Sequence, residues 1–253
     1  MKQFKRFFWL LLMATVFNSC ESKEEFKLTK NQVIACIGDS TTHGKKKGYV
    51  EFLQQYVDTN HPDLNLTFLN WGRGAETITG LTEKQYEVEY KRKRPYLFDR
   101  LDANLTKAKQ KPDIATFCYG INCGNSGVPS KELFEKYQNG LTRFLDRMEQ
   151  ENIKVILMTP PPFSLEVAKQ NGWKREPSDH YSWRNPYEKY DEEVIQVFRD
   201  IVLQIQHPSI VKKIDMYAAL KNKSADCYGK DPIHPNAIGY QHMGSTIAKE
   251  LDL

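Results

Sequence analysis

Short apolar runs alternate with longer amphipathic stretches along most of this chain. Runs at 33–38, 66–70, 114–119, 153–159 and 210–215 read as β-strands. The first, Val33 to Gly38, has no polar side chain, which suits a strand covered on both faces. Between the runs, apolar residues recur at helical spacing, predicting helices over 49–60, 98–110, 131–151, 187–206 and 237–251. Phe134, Tyr137, Leu141, Phe144, Leu145 and Met148 mark one apolar helix face, their spacings being mainly three and four residues. Five strands alternating with helices predict an α/β fold, a parallel sheet covered on both sides as a three-layer α/β/α sandwich. Every strand of such a sheet ends at the same edge, so the loops after the strands are expected to converge there.

The first residues do not fit this pattern. Residues 1–19 have a basic beginning, Lys2, Lys5 and Arg6, and an apolar run from Phe7 to Phe17. That run is short for a membrane span and reads as a secretory signal. It ends at Ser19-Cys20, which resembles a bacterial lipoprotein signal with Cys20 as the lipidated first residue. Residues 20–30 would then be a polar tether rich in Glu and Lys, and 31–253 one domain, exported to the cell envelope or secreted. Removing residues 1–19 lowers the formal net charge from +4 to +1. A nearly neutral domain argues against nucleic acid as a partner, and the basic cluster Lys91-Arg92-Lys93-Arg94 reads as a solvated loop. Of the cysteines after Cys20, Cys36 and Cys118 fall in apolar runs and are expected to be small hydrophobes. No zinc-ligand spacing is present, and neither a metal nor an organic cofactor is expected.

Chemistry gathers where strands end. The first run stops in Gly38-Asp39-Ser40, placing a serine hydroxyl just past a strand. A phosphate-binding loop is a poor match, because five residues rather than four separate Gly38 from Gly44-Lys45, and Lys46 follows. The nucleophile elbow of the α/β-hydrolases fails at Thr42, where a second glycine is required. Glycines in Asn70-Trp71-Gly72-Arg73-Gly74-Ala75 allow a close backbone approach, and Asn122 in Gly120-Ile121-Asn122 carries an amide donor. Near the end, Asp231-Pro232-Ile233-His234 sets a carboxylate three residues before an imidazole, between restraining prolines. That spacing lets the carboxylate bind one ring nitrogen and leaves the other to take a proton from serine.

Taken in order, these four segments resemble the blocks of the SGNH or GDSL hydrolases, and the resemblance spans nearly the whole of 31–253. It implies a flavodoxin-like fold and a serine esterase mechanism. Ser40 would be the nucleophile, His234 the general base and acid, and Asp231 the group that orients His234. The Ser40 and Gly72 amides and the Asn122 side chain would form the oxyanion hole. The chain departs from the family pattern at Cys123, where an aspartate usually follows the asparagine, and at Ala75, where a further glycine usually stands.

For the substrate, Trp71, Trp173, Tyr181 and Trp183 fall in loops on the expected edge, interleaved with polar residues. Such rings suit stacking on sugar faces, and equally the packing of a long loop. The charged insert from Glu83 to Arg94 falls on the same edge and reads as a further wall. An exported carbohydrate O-acetylesterase is the expected function. The alternatives are a lipid or small-ester hydrolase, a glycan-binding lipoprotein whose activity has lapsed, and a thiol function of Cys118 and Cys123.

Overall fold

The structure is a computed structural model describing residues 26–44, 47–124, 128–171, 181 and 185–253. The stretch read as a signal, Cys20 and most of the expected tether lie outside these residues. No helix among the described residues is long and apolar enough to cross a membrane.

Five strands, β1 (Val33–Gly38), β2 (Thr67–Gly72), β3 (Ile114–Cys118), β4 (Lys154–Met158) and β5 (Ile210–Ile214), form one sheet in the order β2-β1-β3-β4-β5. All four pairings are parallel. This is the flavodoxin-like doubly wound order, whose direction of winding reverses between β1 and β3. Gly38 pairs with both Gly72 and Cys118, so β1, β2 and β3 end level at that reversal.

Side chains alternate between two cores, as a period of two requires. Ala35, Ile37, Phe117, Val155 and Leu157 face one layer, which includes α4 (Leu101–Lys107), α5 (Lys131–Gln150) and α7 (Gln196–Gln204). Phe117 packs on Phe144 at 4.2 Å, and Tyr137 stacks on Phe198 at 3.9 Å between ring centroids. Ile34, Cys36, Cys118, Ile156 and Met158 face the other layer, of α2 (Tyr49–Asn60), α8 (Met216–Lys221) and α10 (Ala237–Glu250). Cys36, Cys118, Cys123 and Cys227 are free and buried. Burial pushes the Cys118 thiol well above its usual range and the Cys123 thiol up to about 12, which leaves both protonated and speaks against a thiolate function of this pair.

The sheet agrees with the sequence pattern to within a residue or two, but some helices do not. The helix expected over 98–110 is a 3₁₀ turn, Leu97–Asp99, followed by α4. That expected over 187–206 begins with a π turn, Asp191–Ile195, before α7. The π turn begins at buried Asp191, which accepts hydrogen bonds from the Phe163 amide at 2.7 Å and Tyr217 Oη at 2.7 Å and pairs with Lys221. Short helices also occur where none was read: α1 (Ser40–His43), α3 (Lys84–Tyr90), α6 (Leu165–Gln170), α8 and α9 (Ser224–Cys227). They are too short to show a recurring apolar stripe.

Candidate active site

Gly38 turns the chain out of β1 in a space where a side chain has no room. A Cβ there would lie 2.0 Å from Thr42 Oγ1 and 2.7 Å from the Cys118 carbonyl. Asp39 then caps α1, its Oδ1 accepting from the Thr41 amide at 2.9 Å. Ser40 is the first residue of α1, so its own N–H has no acceptor within the helix. Asp39 is buried, and that desolvation pushes its carboxyl up to about 6, against the Thr41 hydrogen bonds and the nearby His234.

The loop before α10 meets this serine. His234 Nε2 lies 2.8 Å from Ser40 Oγ, and His234 Nδ1 lies 2.6 Å from Asp231 Oδ2. Asp231 Oδ1 also accepts from the amides of Ile233 at 2.8 Å and His234 at 3.1 Å, which fixes the carboxylate against its own loop. Partial burial pushes the Asp231 carboxyl up, but the hydrogen bond and charge of His234 and the two amides outweigh it and hold it below its usual range. With the carboxylate accepting from Nδ1–H, Nε2 is free to accept the hydroxyl proton.

Asn122 arrives from the loop after β3. That loop is held by Tyr137 Oη donating to the Tyr119 carbonyl at 2.7 Å and Tyr190 Oη donating to the Ile121 carbonyl at 2.6 Å. Cys123 Sγ accepts from the Ile78 amide at 3.5 Å, so the thiol itself helps to tie the loop down. Asn122 Oδ1 accepts from Arg94 at 2.9 Å, while the buried Asn122 Nδ2 has no partner among the described residues.

Gly72 is placed differently from the oxyanion-donor role the resemblance implies. Its amide donates to Asn70 Oδ1 at 3.0 Å, and Asn70 Nδ2 donates to the His43 carbonyl and to Glu51. Its glycine identity has a packing cause, since a Cβ at Gly72 would lie 2.2 Å from the His43 amide nitrogen. Three residues on, Ala75 takes φ 63°, a left-handed conformation that costs an alanine roughly 1–2 kcal/mol. Ala75 lines the cleft at Ser40, and its N–H makes no hydrogen bond to another described residue. Behind it, buried Glu76 takes two hydrogen bonds from Arg100, both 2.6 Å, and one from Tyr119 Oη, anchoring this loop to the sheet.

Two open clefts flank Ser40. One, of about 350 Å³, is lined by Ser40, Ala75, Asn122 and His234 together with Tyr86, Tyr90, Arg92 and Arg94. The other, of about 370 Å³, is lined by Ser40, His43, Lys230, Asp231, His234 and Tyr240. The Glu83–Arg94 insert thus forms a wall, as expected. Arg94 is a correction: Lys91, Arg92 and Lys93 are exposed, but Arg94 is buried and paired with buried Glu83. Trp71 packs against the core and lines neither cleft. Tyr181 meets Tyr187 edge-on at 5.6 Å and also lies outside both linings, while Trp173 and Trp183 are not among the described residues. The rings that line the clefts, Tyr86, Tyr90 and Tyr240, were not singled out from the sequence.

A metal has one place to be considered among the described residues. Asp146, Glu149 and His207 bring possible ligand atoms within 4.8 Å of one another, and none of the three lines either cleft at Ser40. His207 is already satisfied there, its Nδ1 accepting from the Ser209 amide at 3.2 Å and its Nε2 lying 3.2 Å from Asp146.

Residues 36–242 match the GDSL-like lipase/acylhydrolase family. The chain is 23% identical to the spore germination lipase LipC of Bacillus licheniformis over 225 residues, covering 83% of this chain and 92% of that protein. Among solved structures, the acetylxylan esterase Axe2 of Geobacillus stearothermophilus superposes with a TM-score of 0.61 at 18% identity, covering 90% of this chain and 97% of the other. LAE5, an α/β hydrolase from the metagenome of Lake Arreo in Spain, superposes with a TM-score of 0.62 at 18% identity, covering 88% and 96%. At these identities the structural matches establish the fold alone.

Proposed function

Because the chain belongs to the GDSL-like lipase/acylhydrolase family, we propose that it hydrolyses short-chain esters, chiefly acetyl groups carried on carbohydrate. Ser40 is the nucleophile in this reading, His234 the general base and acid, and Asp231 the group that orients His234. The observation that carries it is the continuous Asp231–His234–Ser40 hydrogen-bonded line, at 2.6 and 2.8 Å, where the winding of the sheet reverses.

His234 Nε2 takes the Ser40 proton as Oγ attacks the ester carbonyl, forming a tetrahedral oxyanion. The donors available to that oxyanion are the Ser40 amide, the unpartnered Asn122 Nδ2 and the Ala75 amide, which takes the place first given to Gly72. Collapse passes the proton from His234 to the departing alcohol oxygen. Water then repeats the sequence on the acyl-enzyme, giving the carboxylic acid and restoring Ser40. Removing one oxyanion donor typically costs about 10²–10³ in kcat.

The substrate class rests on the cleft walls. Both rings and charged groups line the clefts at Ser40, with Tyr86, Tyr90 and Arg92 in one and Lys230 and Tyr240 in the other. Both clefts are open to solvent, which suits a polar, ring-stacking alcohol such as a sugar better than a long acyl chain. The test is acetate release from acetylated oligosaccharides, with aryl esters of increasing chain length and Ser40→Ala alongside. Preference for longer acyl chains supports the lipid-ester alternative. Glycan binding that survives Ser40→Ala, without hydrolysis by the parent protein, supports the lapsed binding protein. We also propose that residues 1–19 are a signal peptide and that lipidated Cys20 holds the domain at the cell envelope; unchanged fatty-acid labelling in Cys20→Ser would refute the anchor.

A further inference from the structure

The Arg94 guanidinium is buried in the wall beside the nucleophile, at 2% side-chain exposure. Burying a charge there is costly unless every direction is satisfied, and the way it is satisfied is informative. Nε and Nη2 grip Glu83 in a two-pronged pair, at 2.6 and 2.5 Å, and Glu83 is equally buried. The guanidinium lies over the Tyr86 ring, 4.4 Å from its centroid. The remaining nitrogen, Nη1, donates to Asn122 Oδ1 at 2.9 Å and to the Ala75 carbonyl at 3.3 Å. One side chain therefore contacts both residues that offer an unpartnered donor beside Ser40.

We infer that Arg94, clamped by Glu83, is a positioning residue that sets the orientation of the Asn122 amide and the Ala75 peptide, and so assembles the oxyanion hole. This rests on the esterase reading above. A carboxamide has two faces of similar shape, and flipping Asn122 would aim its carbonyl oxygen, rather than an N–H donor, at the developing negative charge. A guanidinium has donors only, so it binds Oδ1 and turns Nδ2 away from itself. The same donor holds the Ala75 carbonyl and braces a peptide whose left-handed conformation alanine does not favour unaided. Glu83 balances the Arg94 charge, so the pair supplies geometry more than net positive charge. It occupies a chain in which Cys123 stands where an aspartate would otherwise support the asparagine loop.

The test is a double-mutant cycle on the full chain with a short-chain ester, read as kcat and KM separately. Arg94→Met is expected to lower kcat by roughly ten- to a hundredfold, with KM changing less than threefold. In an Asn122→Ala background the Arg94 substitution should cost much less, because the donor it positions is gone. Arg94→Lys keeps the charge but not the fork and should stay impaired. A boronic acid, which forms a tetrahedral anionic adduct on a serine, should lose affinity in parallel with kcat. Glu83→Gln, which preserves shape, gives a smaller loss of the same kind and supplies the readout if Arg94→Met does not fold. Unchanged kcat in folded Arg94 or Glu83 variants, or losses that multiply fully with Asn122→Ala, would overturn the inference and leave the esterase reading standing. A parent protein that neither turns over esters nor binds the boronic acid would overturn both.

Discussion

Asp39→Asn probes the buried carboxyl beside the nucleophile through the pH dependence of stability. Among the described residues Asp39 forms no ion pair, and burial raises its carboxyl from an ordinary 3.8 to about 6. Below about pH 4 the side chain is protonated in both the folded and the unfolded chain and carries no penalty. Between about 4 and 6 the unfolded chain releases the proton while the folded chain retains it, so folding loses stability as pH rises. Above about 6 both states are ionised and the loss is complete. At about 1.36 kcal/mol per pH unit, the gap is worth roughly 3 kcal/mol. Asparagine caps a helix about as well as aspartate and keeps the oxygen that accepts from Thr41, but it does not titrate. Any fixed cost of burying its amide shifts the comparison equally at every pH. Urea unfolding of both proteins from pH 4 to 7.5 should therefore show the difference moving in favour of Asp39→Asn by about 2 kcal/mol between pH 4 and 6.5, the larger part of that gap. Groups not coupled to Asp39 cancel in that difference. A difference flat to within about 0.5 kcal/mol would refute the argument, since a carboxyl with an ordinary folded-state pKa produces no such slope.

Gly72→Ala tests whether that glycine serves packing: the added Cβ meets the backbone of α1 at 2.2 Å, so either β2 or the helix carrying Ser40 must shift. A loss of roughly 1–3 kcal/mol by urea unfolding, with kcat falling alongside, is expected; wild-type stability with activity lost would restore Gly72 to the oxyanion hole. Asp231→Asn should lower kcat by about 10³–10⁴, because the amide cannot support the imidazolium as the carboxylate does. Since His234 and the loop amides hold the Asp231 carboxyl below its usual range, it stays ionised as the solution turns mildly acid. The acid limb of the wild-type kcat/KM profile should then have unit slope down to about pH 4; a limb of slope two would show two groups titrating.

How much of this was legible in the sequence follows from how local each determinant is. The buried parallel strands show as unbroken apolar runs, and Gly38 punctuates the first because nothing larger fits. Helix α5 is legible for a similar reason: Leu133, Tyr137, Leu141, Phe144, Leu145 and Met148 all face one core. By contrast, α3 buries only Tyr86 and leaves Val88 and Tyr90 exposed, so no apolar stripe announces it. The π turn before α7 answers to Asp191, whose partners Phe163, Tyr217 and Lys221 come from distant parts of the chain.

The site divides along the same line. Asp231 and His234 lie three residues apart and bond within their own loop, so a short motif holds their geometry, and Ser40 follows a strand end that can be read directly. Arg94 sits at the end of four consecutive basic residues, and nothing in that run separates the buried one from the three in water. Its environment is made by Glu83, 11 residues away, and Asn122, 28 residues away, brought together only when the insert folds over the ends of β1 and β3. Ala75 is similarly silent, because its left-handed backbone is imposed from outside: Arg73 donates to the Gly38 carbonyl, Arg94 binds the Ala75 carbonyl, and Arg100 grips Glu76. The groups that would react are thus local in sequence, whereas those that orient them are distributed. A substitution in the insert, far along the chain from Ser40, can therefore alter turnover while leaving Ser40, Asp231 and His234 in place.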